Sequence, residues 1–259
     1  MLDTKKTNNI VVFDLDETLG NFTELSIFWE ALNKYHKKSL TEKDFFSLLD
    51  TFPNFLRPNI HNIIKYIIQQ KKKNKCDSIM IYTNNQGNKK WINMISRYFD
   101  YKLKQPTFDK IIAAFKVKGQ HVEMCRTTHD KSVNDLFRCT QLPENTQICF
   151  IDDQYHPLMK HDNVYYINVK PYNYSINFQT MANKYFITIM KDDNKDEFIY
   201  FMTTHMNTSG YVVIEKDEAE HKVDKVISKK LLSHLKEFFG SKNKTKRRKH
   251  NKRNKTEKL

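Results

Sequence analysis

Two aspartates, Asp14 and Asp16, end the apolar run of "IVVFDLDETLG" (residues 10–20). Side chains in a strand alternate faces, so these two carboxylates point the same way. Like charges that close are costly unless a cation or a reacting group lies between them. Three later stretches offer matching chemistry. "SIMIYTNNQG" delivers Thr83 and Asn84, "HDKSVNDL" carries Lys131, and "QICFIDDQYH" delivers Asp152 and Asp153. Thr18 follows the first pair and can orient it. One ammonium, a hydroxyl and up to four carboxylates would then converge on one pocket.

That set suits phosphoryl transfer. A carboxylate can attack phosphorus and form an aspartyl-phosphate. A second, two residues on, can protonate the leaving oxygen and then deprotonate water. Several acids facing a phosphate dianion would repel it. The charge balances if Mg²⁺ sits among Asp14 and Asp152/Asp153, with Lys131 neutralising phosphoryl oxygens. Lys116 and Lys118 compete with Lys131 for that last role. Lys131 is favoured because it opens a helical segment just before the last acidic strand. Asp153 fits either a metal ligand or an acceptor behind one.

The positioning elements are legible as alternating periods. Apolar, β-branched runs at 9–13, 78–82, 110–115, 147–151 and 164–169 read as strands. Between them, residues 57–70 place Ile60, Ile63, Ile64, Ile67 and Ile68 on one helical face, with Pro58 suited to the first turn. Residues 88–99 repeat the pattern with Trp91, Met94, Ile95, Tyr98 and Phe99. Alternation of this kind predicts an α/β fold with a doubly wound parallel sheet, whose ligands bind beyond the carboxyl ends of the strands. Residues 1–174 form the core, within which 21–56 read as an insert covering the site, holding a short helix capped by Thr41. Residues 175–240 form a C-terminal extension: a helix near 177–190, strands at "EFIYFMTT" and "GYVVIE", and a last amphipathic helix. Residues 241–259 form a basic tail, too charged to bury and predicted to be disordered.

With "DLDET", Thr83 after a strand, Lys131 and "DD" after a strand in order, the chain resembles the haloacid dehalogenase-like phosphatases. The resemblance implies Asp14 as nucleophile and Asp16 as acid and base. It also implies Thr83 and Lys131 as phosphoryl-binding groups, with Asn84 beside them. Mg²⁺ would be held by Asp14, the Asp16 backbone carbonyl and Asp152, with Asp153 assisting. "DLDETL" together with "FLRPNIHNIIKYI" is similar to the NLI-interacting-factor-like branch, which includes phosphatases of the RNA polymerase II carboxy-terminal domain. "YTNNQG" instead resembles the "TNQ" of the polynucleotide 3′-phosphatase branch. The match covers residues 9–170.

The 259-residue chain carries a net charge of +14, and 39% of its residues are hydrophobic. Ten of its 44 Lys and Arg lie in residues 241–259 against one Glu, so most of the excess belongs to the tail. "KTKRRKHNKRNK" has the composition of a nuclear localisation signal or an electrostatic arm for nucleic acid, and it lacks the aromatic residues of a base-stacking platform. A cytoplasmic or nuclear location follows as an expectation. No run approaches the ~18 apolar residues that cross a membrane, and the polar N-terminus predicts no signal peptide. Cys76, Cys125, Cys139 and Cys149 lack CxxC spacing and read as reduced thiols. His121, Cys125 and His129, spaced by four, invite a zinc reading, but surface or packing roles are favoured. His156 reads as a loop residue near the pocket. The expected substrate is a phosphorylated protein, with a polynucleotide 3′-phosphate as runner-up. A binding or scaffold protein on a vestigial phosphatase fold is the alternative outside the enzymes.

Overall fold

A computed structural model describes residues 8–87, 89–190, 194–240 and 256–258. Its centre is a parallel sheet of β1 (Asn9–Phe13), β2 (Ser78–Tyr82), β3 (Lys110–Ile112), β6 (Gln147–Asp152) and β7 (Val164–Asn168), in the order β3-β2-β1-β6-β7. A short antiparallel hairpin, β4 (Lys116–Val117) with β5 (Gln120–His121), stands apart. β1 and β2 are buried at every position, as strands covered on both faces must be, which is why they read as unbroken apolar runs. Val11, Phe13, Ile79, Ile81, Cys149 and Ile151 face one layer, whereas Ile10, Val12, Met80, Tyr82, Ile148 and Phe150 face the other. α3 (Ile60–Lys72), α4 (Lys89–Leu103) and α8 (Glu218–Gly240) cover the first face. α5 (Val133–Thr140) covers the second through Val133, Leu136 and Cys139. The fold is therefore the doubly wound α/β arrangement that the alternation predicts. Strand order reverses at β1, which opens a crevice between the carboxyl ends of β1 and β6.

Several elements differ from expectation. The third strand stops at Ile112, and α3 starts at Ile60, because Asn59 adopts a left-handed conformation (φ +63°) that sets Pro58 outside the helix. "EFIYFMTT" lies in a helix, α7 (Lys195–Asn207), whose Phe198, Met202 and Met206 recur every four residues and are buried. Asn194 caps it and Asp196 and Glu197 occupy its first turn, so helical signals override β-rich composition. "GYVVIE" alternates, with Val212 and Ile214 exposed, yet residues 211–217 pair with no strand. Cys125 and Cys139 form a disulfide across a sequence separation of 14, correcting the all-thiol expectation; Cys76 and Cys149 are free and buried. Spacing alone could not reveal that pair, because the turn before α5 brings the two Cα atoms to 5.0 Å. Most of the basic run 241–259 lies outside the described residues. Thr256–Lys258, however, forms β8, parallel to β7, rather than the disordered end expected there.

The insert does not cover the site. Its helices, α1 (Thr23–Tyr35) and α2 (Glu42–Thr51), pack instead against α6 (Phe178–Tyr185) and α7. Thr41 caps α2 as its sequence predicts, with Asp44 completing a capping box. The Phe28 ring lies 5.5 Å from Tyr185, and Tyr35 lies 5.0 Å from Phe198, both edge-on. One apolar cluster thus runs from β1 through the insert to Phe239. Among the described residues, no helix is long and apolar enough to cross a membrane.

Glu24 is fully buried where insert and extension meet, and its carboxylate accepts from the Ile176 N–H at 3.2 Å. Burial raises its pKa from 4.5 to about 7, against the opposing hydrogen bonds of Ile176 and Ser175. The folded chain therefore keeps a proton that the unfolded chain releases, so this contribution is complete below about pH 4.5 and is lost as pH rises through 7. Glu24→Gln should gain about 3 kcal/mol relative to wild type between pH 4.5 and pH 8. Urea unfolding at both pH values checks this; equal pH slopes for the two proteins would refute it.

Candidate active site

The crevice between β1 and β6 gathers the acidic residues. Phe13 pairs with Ile151, and the Asp14 N–H donates to Ile151 O at 2.9 Å, so Asp14 and Asp152 sit side by side. Thr83 follows β2, with its N–H on Ile112 O at 3.0 Å. Asp14, Asp16, Thr83, Asn84, Lys131, Asp152 and Asp153 all line one cavity of about 160 Å³. Thr18 lies just behind it: its hydroxyl donates to Asp153 Oδ1 at 3.0 Å and accepts from the Asp153 N–H at 3.1 Å.

Of the three lysines, Lys131 is the one that lines the cavity. Its Nζ lies 2.5 Å from Asp14 Oδ1 and 2.7 Å from Asp152 Oδ2, and all three groups are buried. Lys116 instead lies over the Phe115 ring, and Lys118 occupies the hairpin turn. Burial pushes the Asp14 carboxyl well up; Asp152 and Asp16 add to this, and Lys131 opposes it. Burial also raises Asp152, but Lys131 and His156 outweigh it and hold that carboxyl below its ordinary value. Asp16 is raised by burial, against the pull of Asn85, whose Nδ2 donates to Asp16 Oδ2 at 2.6 Å. Asp153 is raised by burial and by Asp152. Lys131 stays above its ordinary value because two carboxylates exceed its own desolvation.

One ammonium among four aspartates leaves surplus negative charge. Oxygens of Asp14, Asp152 and Asp153 lie within 4.8 Å of one another, the only such cluster among the described residues. An all-oxygen, carboxylate set of that spread fits a hard divalent cation such as Mg²⁺. The zinc alternative is not formed: His121 and His129 pack edge-on against Phe115, and Cys125 is in the disulfide.

The loop after β1 is locked from behind. Arg57, almost wholly buried, donates through Nε to Thr18 O (2.6 Å) and through Nη2 to Glu17 O (2.6 Å) and Lys170 O (2.9 Å). Glu17 adopts a positive φ of 56°, and Gly20 leaves no room for a side chain, since a Cβ would lie 2.4 Å from Phe55 O. Sequence reasoning missed this pin, although Arg57 stands in "FLRPN". It also missed Asn85, the second Asn of "TNNQ", and undervalued His156, which is buried with Nε2 3.3 Å from Asp152 Oδ2. Asn84 lines the cavity, but its side-chain carbonyl accepts from Arg126 at 2.8 Å.

Compared with protein-family models, with curated proteins and with solved structures, the chain matches none.

Removing the ammonium should expose the cost of the acids. Lys131→Met is expected to lose about 3 kcal/mol of stability in EDTA, because two buried carboxylates are left facing each other. Mg²⁺ should restore part of that loss. Denaturant unfolding with and without Mg²⁺ measures both, and a variant as stable as wild type in EDTA would show that the ion triad does not hold the site.

Proposed function

We propose that this protein is a Mg²⁺-dependent phosphomonoesterase that works through an aspartyl-phosphate on Asp14. The carrying observation is the buried Asp14–Lys131–Asp152 triad at the crevice, with Asp16 and Thr83 lining the same small cavity. It agrees with the resemblance of "DLDET", Thr83, Lys131 and "DD" to haloacid dehalogenase-like phosphatases.

In this reading Lys131 engages Asp14 Oδ1, which leaves Oδ2 to attack phosphorus. As the Asp14–phosphorus bond forms, the bond to the leaving oxygen breaks, and Asp16 delivers its proton to that oxygen. The raised pKa of Asp16 favours the protonated form needed for this step. Asn85 holds the Asp16 carboxyl in place through Oδ2. Ionised Asp16 then takes a proton from water, whose oxygen attacks phosphorus and releases phosphate and free Asp14. Thr83 and Lys131 position the phosphoryl oxygens. A divalent cation held by Asp14, Asp152 and Asp153, and in the family pattern by the Asp16 carbonyl, would neutralise the developing charge.

A 160 Å³ cavity accommodates a phosphoryl group and little of what carries it. No residue of the insert lines it, so a bulky substrate has access. This supports a phosphoserine or phosphothreonine protein. "YTNNQG" and the basic run 241–259 support a polynucleotide 3′-phosphate as the second reading. The same basic run supports a nuclear site of action.

Phosphate release from a phosphoserine peptide and from a 3′-phosphorylated oligonucleotide, each with Mg²⁺, chooses between them. Asp14→Asn should abolish turnover of whichever is used, and Asp16→Asn should lower it by about 10²-fold or more. Wild-type rates in a folded Asp14→Asn protein would sink the mechanism. EDTA should stop the wild-type reaction, and Mg²⁺ should restart it.

A further inference from the structure

Arg126 lies outside the cavity, yet it joins the segments that build one side of it. Its Nη1 donates to Thr83 O (3.2 Å), Asn84 Oδ1 (2.8 Å) and Ala113 O (3.0 Å). Its Nη2 donates to His129 O (2.9 Å) and Asp130 O (3.4 Å), immediately before Lys131. The guanidinium also stacks 4.8 Å from the Tyr82 ring, at the end of β2. These acceptors come from three separate segments: after β2, after β3, and ahead of α5.

The segment that carries Arg126 is itself fixed. The preceding residue, Cys125, is bonded to Cys139 on α5. The following residue, Thr127, donates through its N–H and hydroxyl to Asp135 at 3.0 and 2.8 Å. The Asp135 N–H in turn donates to Ser132, the cap of α5 and the neighbour of Lys131. A planar fork with five donors suits such bridging, whereas a lysine ammonium does not. Arg126 is 1% exposed, and the nearby carboxylates of Asp135, Glu123 and Asp130 favour its charged form against burial. Its hydrogen-bond acceptors are all carbonyl oxygens, so its hold on these segments is made through the fork of N–H donors.

We propose that Arg126 is the positioning residue of the phosphoryl-binding side of the site. It sets Thr83 and Asn84 in register with Lys131 through the hydrogen bonds of its fork. This inference rests on the phosphomonoesterase reading. A misplacement of about 1 Å in groups that hold a reacting phosphoryl oxygen costs up to about 10²-fold in rate.

The test uses the full chain and inorganic phosphate with Mg²⁺, with affinity measured by calorimetry beside turnover and amide hydrogen exchange. Arg126→Lys keeps the charge but not the fork; phosphate affinity and kcat should each fall about tenfold in a protein that still unfolds in one cooperative transition. Exchange should quicken at Asn84, Asn85 and Lys131. In Arg126→Ala, added guanidinium ion should restore part of the lost phosphate affinity. A folded Arg126→Lys protein with affinity, turnover and exchange all within about twofold of wild type overturns the proposal. In that case active wild type and inactive Asp14→Asn leave the phosphomonoesterase reading standing. Wild type that neither binds phosphate nor turns over either substrate overturns that reading, and this inference with it.

Discussion

The buried ammonium of Lys131, held between Asp14 and Asp152, is the interaction around which the rest is arranged. Carboxylates taken out of water repel one another and lose hydration, and a single nearby cation can repay only part of that. The parallel sheet makes the crowding unavoidable. Adjacent strands in register end at nearly the same level, so Asp14, just after β1, and Asp152, the last residue of β6, arrive together. Lys131 reaches them from the segment before α5, on the other side of the crevice. The surplus negative charge that remains makes the cavity suited to a divalent cation.

Holding charged groups in a cavity requires rigid walls, and two buried arginines provide them through carbonyl oxygens. Arg57 fastens the loop after β1 to the chain beyond β7. Arg126 fastens the chain beyond β2 to the segment before Lys131. Each spans parts of the chain that are distant in sequence, so neither follows from local propensity. The strained Glu17 backbone and the close approach at Gly20 are compatible with this tight fastening.

The sheet and the acidic residues were legible because both obey simple periods. Strands buried on two faces appear as short apolar runs, and most of the polar residues of the cavity stand at or just after the ends of those runs. Asp14, Asp16, Thr83, Asp152 and Asp153 could therefore be located from the sequence, whereas Lys131 was favoured over Lys116 and Lys118 only for opening a helical segment. What stayed hidden depends on packing between distant segments. Arg57, Asn85 and Arg126 look like ordinary polar residues until the loops close, and His156 looked like a loop histidine. Residues 195–207 misled because Phe, Ile, Tyr and Thr favour strands, while their four-residue burial pattern emerges only against α1 and α6. The Cys125–Cys139 pair carried no spacing signature at all.

The shared core of the insert and the C-terminal extension bears on how the chain acquires its fold. α1 and α2 lie in residues 23–51, whereas their partners α6 and α7 lie in residues 178–207. Loop-closure entropy must be met before those distant contacts repay it, which slows folding of a chain so connected. Until then the apolar faces around Phe28, Tyr35 and Leu48 lack part of their cover. Closing that flank therefore depends on contacts between distant parts of the chain, a topology that favours slow folding over local assembly.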